Sequence, residues 1–187
     1  YKAMYELLEK VLKPYGPSGN EEAVAQTIRQ ALEGHVDSIE TDVMGNLIAI
    51  KKGTNPNGKK VMFSAHMDHI GFIVTGFEKE GFLRVTNVGG VSPDSNQFRH
   101  VAFGNGVQGV VVSQPLKPGE SRAMKHMFID IGAQDKAEAE KMVKLGDVAV
   151  YAPNVVRLGQ YRVASPAMDD RSACAVLLQF LLQAGTY

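Results

Sequence analysis

Two short stretches hold the side chains best suited to chemistry: His66-Met67-Asp68, within FSAHMDHIGF (63–72), and Asp169-Asp170-Arg171, within AMDDR (167–171). A neutral imidazole offers one nitrogen to a borderline cation such as zinc, and a carboxylate can bridge two cations, so a His and an Asp from separate segments are plausible halves of one site. Residues i and i+2 of a strand share a face, which lets Asp68 accept the second ring N–H of His66 and fix its tautomer. His-x-Asp by itself is a common tripeptide. The plainer alternative is a histidine satisfied by its neighbour at a sheet edge. The acidic pair also has a plain alternative, an N-cap in a favourable dipole position with Arg171 paired to one carboxylate. Against it, the apolar lead SPAM suggests carboxylates carried to the floor of a cleft, where desolvated charge calls for a cation.

Such residues need a frame, and apolar periodicity supplies one. YKAMYELLEKVLK (1–13) puts Met4, Leu7, Leu8, Val11 and Leu12 on one helical stripe that Pro14, Gly16 and Pro17 end. Ser18 is the expected N-cap of a second helix, with Glu21 completing a capping box, Val24, Ile28, Ala31 and Leu32 on the apolar face, and Gly34 as the stop. SIETDVMGNLIAIKKG (38–53) reads as a strand pair or a bent strand around Gly45-Asn46. NPNG (55–58) reads as a turn, and KKVMFSAHMD (59–68) as a second, fully buried strand. This alternation predicts a layered α/β unit with a partly parallel sheet.

From Gly71 to about Ala164 the texture changes to short β-rich pieces: FIVTGF, FLRVTNV, HVAFG, VQGVVVSQ, HMFIDIG, DVAVYAP and NVVRLGQYRVAS. One helical piece interrupts them, DKAEAEKMVKLG, opened by a capping box of Asp135 and Glu138. Many short strands with turn signals predict a small barrel or sandwich. The chain then returns to helix, with Ala173, Val176, Leu177, Phe180 and Leu181 as the apolar face and Gly185 as the stop. The expected organisation is an α/β domain (1–70 and 165–187) interrupted by a β insert (71–164).

Twenty basic residues balance twenty acidic ones, so no net field favours nucleic acid or an anionic membrane. ACAVLLQFLLQA is too short and too polar to span a bilayer, and YKAMYELLEK lacks an apolar signal stretch, so a soluble, cytoplasmic protein is expected. A single cysteine, Cys174, excludes an intrachain disulfide framework and a cysteine-based zinc site. Cys174, His35, His100 and His126 are read as packing or local hydrogen-bonding groups. His126 and Asp130 are rejected as a ligand pair, because four residues of strand span about 13 Å.

Seven ordered stretches, PSGNE (17–21), DVMGN (42–46), AHMDHIGF (65–72), NVGGV (87–91), FIDIGA (128–133), GDVAV (146–150) and AMDDR, together resemble the tetrahedral, or glutamyl-type, aminopeptidases, some members of which carry an endoglucanase label. That family of dinuclear metallopeptidases implies that His66 binds a metal and that Asp68 orients it as a catalytic residue. Asp169 would bridge both metals, through a cis bond to Asp170. It further implies two divalent ions, zinc or cobalt, short peptide substrates, and a PDZ-like β-barrel driving dimer contacts within a dodecameric homo-oligomer.

Two departures matter. The residue after Asp68, commonly Glu in the family, is His69 and is read as a local variation outside the ligand set. The family pattern continues into a Glu-Glu pair, a further Asp and a late His, none of which falls within this sequence; the 187-residue chain alone is therefore expected to be inactive. The competing readings are a non-catalytic assembly or regulatory fragment acting through the β insert, and another hydrolase such as a deacylase or glycanase. The last lacks the carboxylate pair that glycoside cleavage uses.

Overall fold

In the computed structural model, which describes residues 2–55 and 57–184, helices α1 (Lys2–Leu12) and α2 (Glu22–Leu32) lead into an antiparallel hairpin of β1 (Ser38–Thr41) and β2 (Leu47–Ile50). Strands β3 (Gly71–Phe77), β4 (Leu83–Val88), β5 (His100–Phe103), β6 (Gln108–Ser113) and β7 (Met127–Asp130) follow. Helix α3 (Lys136–Met142), strand β8 (Val148–Tyr151), a second hairpin of β9 (Val156–Leu158) and β10 (Arg162–Ala164), and helix α4 (Met168–Gln183) complete the described residues. The fold is mixed α/β, in two compact units: residues 1–68 with 153–187, and residues 69–152.

The second unit is a closed antiparallel barrel in the order β3-β4-β7-β6-β5-β8, with β8 returning to β3. Period-2 alternation sends Leu83 and Val85 of β4, Val101 and Phe103 of β5, and Met127 and Ile129 of β7 inward. Phe72, Leu83, Val101, Val111, Ile129 and Val150 are fully buried. Each such side chain contributes about 1.5–3 kcal/mol relative to exposure. Closure leaves no unpaired edge in the sheet. Helix α3 adds Ala139 to this core, and the Asp135 side chain caps it by accepting from the Glu138 N–H at 2.9 Å. Glu138 itself bonds to the Gln134 N–H, so only half of the expected capping box forms.

The first unit packs α1, α2 and α4 around Val11, Leu12, Val24, Leu32, Ala175 and Leu178. Arg157 of β9 stacks its guanidinium over Tyr5 of α1, 3.5 Å from the ring centroid. The expected layered, partly parallel sheet is absent among the described residues, where this unit holds only the two two-stranded hairpins. Lys59–Asp68, read as a buried strand, pairs with no strand and exposes Val61, Met62 and Phe63. An apolar run specifies a strand only when neighbours supply its ladder, and here none does. The region expected as an insert over 71–164 divides at Ala152: β9 and β10 pair with each other and cluster with the first unit.

Helix α4 also turns a different face inward than its strongest apolar stripe predicts. Arg171, Cys174, Ala175 and Leu178 are buried, whereas Val176 and Phe180 are exposed. The segment is apolar nearly all round, so contacts rather than periodicity choose the buried side. Gly34 sits at φ +76° just past α2, as a helix stop should. The Gly185 stop and Pro56 of the NPNG turn lie outside the described residues; the turn itself is held by Gly58 N–H donating to the Asn55 carbonyl at 3.0 Å.

Candidate metal centre

Two segments of the first unit meet at His66. Its Nδ1 lies 3.0 Å from Asp68 Oδ1 and 3.2 Å from the Asp68 carbonyl, and its Nε2 lies 3.1 Å from Asp169 Oδ1. His66 and Asp169 are thus brought together across 103 positions of sequence, with Asp68 on the far side of the ring. His66 is about half exposed and Asp169 almost wholly so, which leaves the pair open to solvent.

With a carboxylate on each nitrogen, the doubly protonated ring can donate on both sides. Desolvation is the largest single influence on His66 and lowers its pKa, but hydrogen bonds to the Asp68 carbonyl and the Asp169 carboxylate, with the charge of Asp68, outweigh it and raise the pKa above 6.5. Asp68 moves the opposite way, below 3.8, chiefly because Ser18 Oγ donates to its Oδ2 at 2.5 Å and secondarily through His66.

The Nε2 proton therefore stands where a cation would. A separation of 3.1 Å suits two adjacent donors of one ion with bonds of about 2.0–2.2 Å, and Asp68 behind Nδ1 is the arrangement that fixes a ligating tautomer. A neutral imidazole and a carboxylate form a donor set for zinc or cobalt. Among the described residues, no group of three or more His, Cys, Asp and Glu side chains is placed to hold a metal ion, so the centre offers only the two donors of His66 and Asp169.

Asp169 and Asp170 both depart from helical φ and ψ, and the peptide between them is cis. The N-cap residue of α4 is Ala167, which makes no side-chain cap, and neither aspartate of the acidic pair holds that position.

The model of the M42 glutamyl aminopeptidase family matches residues 45–186. The chain belongs to that family. A lysyl aminopeptidase of Pyrococcus furiosus is 32% identical over 195 residues, covering 98% of this chain and 56% of the relative. The solved aminopeptidase APDkam598 from Desulfurococcus kamchatkensis superposes with a TM-score of 0.91 at 34% identity, over 98% of this chain and 53% of that one. Pyrococcus horikoshii TET1 peptidase, described as able to assemble into a tetrahedron or a large octahedral shell, gives 0.83 at 32% identity over 97% and 56%. This M42 chain spans about half the length of the curated relatives it matches.

Two residues of the M42 chain do more than the sequence suggests. Ser18, read as an N-cap, leaves that role: α2 starts after Glu21, and the Ser18 hydroxyl goes to Asp68. Arg171, read as the partner of an adjacent carboxylate, is fully buried. Its Nε donates to the Met67 carbonyl at 2.7 Å, Nη1 to the Val11 and Pro14 carbonyls at 3.2 and 2.7 Å, and Nη2 to the Gly16 carbonyl at 3.0 Å. Burial draws its pKa down to about 10, far enough above neutrality that the group stays cationic. The signal in sequence is an arginine placed one turn ahead of Ala175 and two turns ahead of Leu178, where a cation must find acceptors. Cys174 is buried too, its thiol donating to the His66 carbonyl at 3.3 Å and pushed up to about 11 by desolvation. His69 is buried, whereas His66 faces solvent.

His126 and Asp130, rejected as a pair, serve separate local bonds. His126 Nδ1 accepts from the Ala123 N–H at 3.1 Å with Glu120 on Nε2, and Asp130 accepts from the Gly132 N–H at 2.8 Å.

Proposed function

We propose that the protein is a metal-dependent aminopeptidase that removes N-terminal residues from short peptides at a dinuclear centre. The observation that carries this is the line Asp68–His66–Asp169, with contacts of 3.0 and 3.1 Å. His66 would bind one divalent ion through Nε2, and Asp169 would bridge two through its carboxylate. Zinc or cobalt bound there supplies a Lewis acid and lowers the pKa of a water into the physiological range. Asp68 holds the proton on Nδ1, which keeps the Nε2 lone pair directed at the centre. The openness of the Asp169 side leaves room for a peptide's free amine and scissile carbonyl. A substrate held by its amine terminus at such a centre is cut as an exopeptidase would cut it.

The unit of residues 1–68 and 153–187 is assigned the catalytic role and the barrel unit of residues 69–152 that of a PDZ-like insert, so β9 and β10 fall on the catalytic side of the boundary expected at 164. The barrel is assigned homo-oligomer contacts, dimers building towards a dodecamer, in keeping with the shells described for TET1. No helix among the described residues is long and apolar enough to cross a membrane, and the assigned compartment is the cytoplasm. Two donors are too few to retain two ions, so the 187-residue chain by itself is assigned no turnover. The same donor count favours a second reading, an assembly element acting through the barrel. One assay separates them. Full-length protein and this chain are given a panel of aminoacyl p-nitroanilides with and without cobalt. Cobalt-dependent release by the full-length form alone is expected, and its absence would remove the aminopeptidase assignment.

A further inference from the structure

The Pro14–Ser18 loop approaches the candidate centre from behind. Asp68 divides its two oxygens: Oδ1 faces His66 Nδ1 at 3.0 Å, and Oδ2 accepts from Ser18 Oγ at 2.5 Å. A carboxylate torsion is broad and roughly two-fold when free, so a second partner is what selects one orientation. The loop that brings Ser18 there is itself fixed. Arg171, two residues from Asp169, binds the Pro14 and Gly16 carbonyls, and its Nε binds the Met67 carbonyl between His66 and Asp68. A Cβ added to Gly16 would lie 2.7 Å from Arg171 Nη2 and 2.6 Å from Val24 Cγ2, so glycine lets the loop close on the guanidinium. Ser18 is exposed and caps no helix, so neither packing nor capping accounts for its contact.

We propose that Ser18 is a positioning residue for the metal centre: its hydroxyl locks the Asp68 carboxylate, which locks the His66 ring with Nε2 turned to the cation. This rests on the reading of His66 and Asp169 as ligands. The test uses full-length protein and its Ser18→Ala, Ser18→Thr and His66→Ala variants. Zinc affinity is measured by calorimetry, thermal stability is recorded, and the His66 tautomer is read from ¹⁵N imidazole spectra of metal-free protein at a pH where the ring is neutral. Ser18→Ala is expected to weaken zinc binding about 10-fold, the low end of losses for groups that orient a ligand. It should also lower the Nδ1–H tautomer fraction with thermal stability unchanged, and Ser18→Thr should restore both. An unchanged tautomer in Ser18→Ala, or a loss that Ser18→Thr fails to restore, overturns the proposal. Zinc binding by His66→Ala at wild-type strength would instead remove the ligand reading, and the metal-free tautomer still decides the role of Ser18.

Discussion

The barrel and the site-bearing unit solve the same problem in opposite ways. The barrel satisfies its strands by closing on itself, and its largest fully buried side chains, Phe72, Leu83 and Ile129 among them, are apolar, while its unit buries Asn96 and His126 as local hydrogen-bonding groups. The site-bearing unit buries an arginine at its centre and spends that charge on four main-chain carbonyls, while Val61, Met62 and Phe63 face solvent. One region is held by shape and the other by a polar hub. The hub joins the loop at 14–16, the segment between His66 and Asp68, and the start of α4, so the same contacts that hold this unit together set the candidate ligands.

The sharpest way to break the contrast is Arg171→Met. Loss of four hydrogen bonds at roughly 1 kcal/mol each should destabilise the site-bearing unit by about 4 kcal/mol. Hydrogen exchange should show faster opening of α1 and α4 with barrel amides unaffected; uniform loss in both units would refute a local hub. In the barrel, Ile129→Val should cost about 1 kcal/mol, read from the urea midpoint, and leave zinc affinity untouched. Met62→Lys should change stability by less than about 0.5 kcal/mol, since Met62 is exposed. A buried strand at 59–68 would instead make that change severe, so the outcome separates the two pictures of this segment.

A pH series gives the smallest effect. The folded pKa of His66 lies above 6.5, so in metal-free protein its contribution to stability is complete below pH 6.5 and is lost as pH rises through the folded value. That of Asp68 lies below 3.8, so its contribution is complete above pH 3.8 and is lost as pH falls through the folded value. The site-bearing unit should therefore gain most between those limits, and Asp68→Asn should flatten the acid side. In the barrel, burial raises the Tyr151 phenol above 10, so its contribution persists until alkaline pH and fades as pH rises through the folded value.

The barrel was readable because its signals are local. Alternation, glycine turns and the Asp135 cap are each written within a few residues, and its strands find their partners inside the same unit. The candidate centre was half readable. His-x-Asp and the Asp169-Asp170 pair stand out by residue type, and the structure brings His66 and Asp169 together. Ser18 and Arg171 escaped because their partners lie far away, 50 positions for Ser18 to Asp68 and 155 for Arg171 to Gly16, so the nearest plausible role, a cap or an adjacent ion pair, took precedence. Lys59–Asp68 misled for a related reason: apolarity predicts burial, but a ladder needs a neighbour that no local pattern names.

The position of Cys174 makes this molecule its own probe. It is the only thiol in the chain, enclosed in the site-bearing unit against the His66 carbonyl, and about four pH units from ionising in neutral solution. An alkylating reagent attacks the thiolate and so must wait for that unit to open. The labelling rate then reports the breathing of the site-bearing unit alone, with the barrel silent in the same tube.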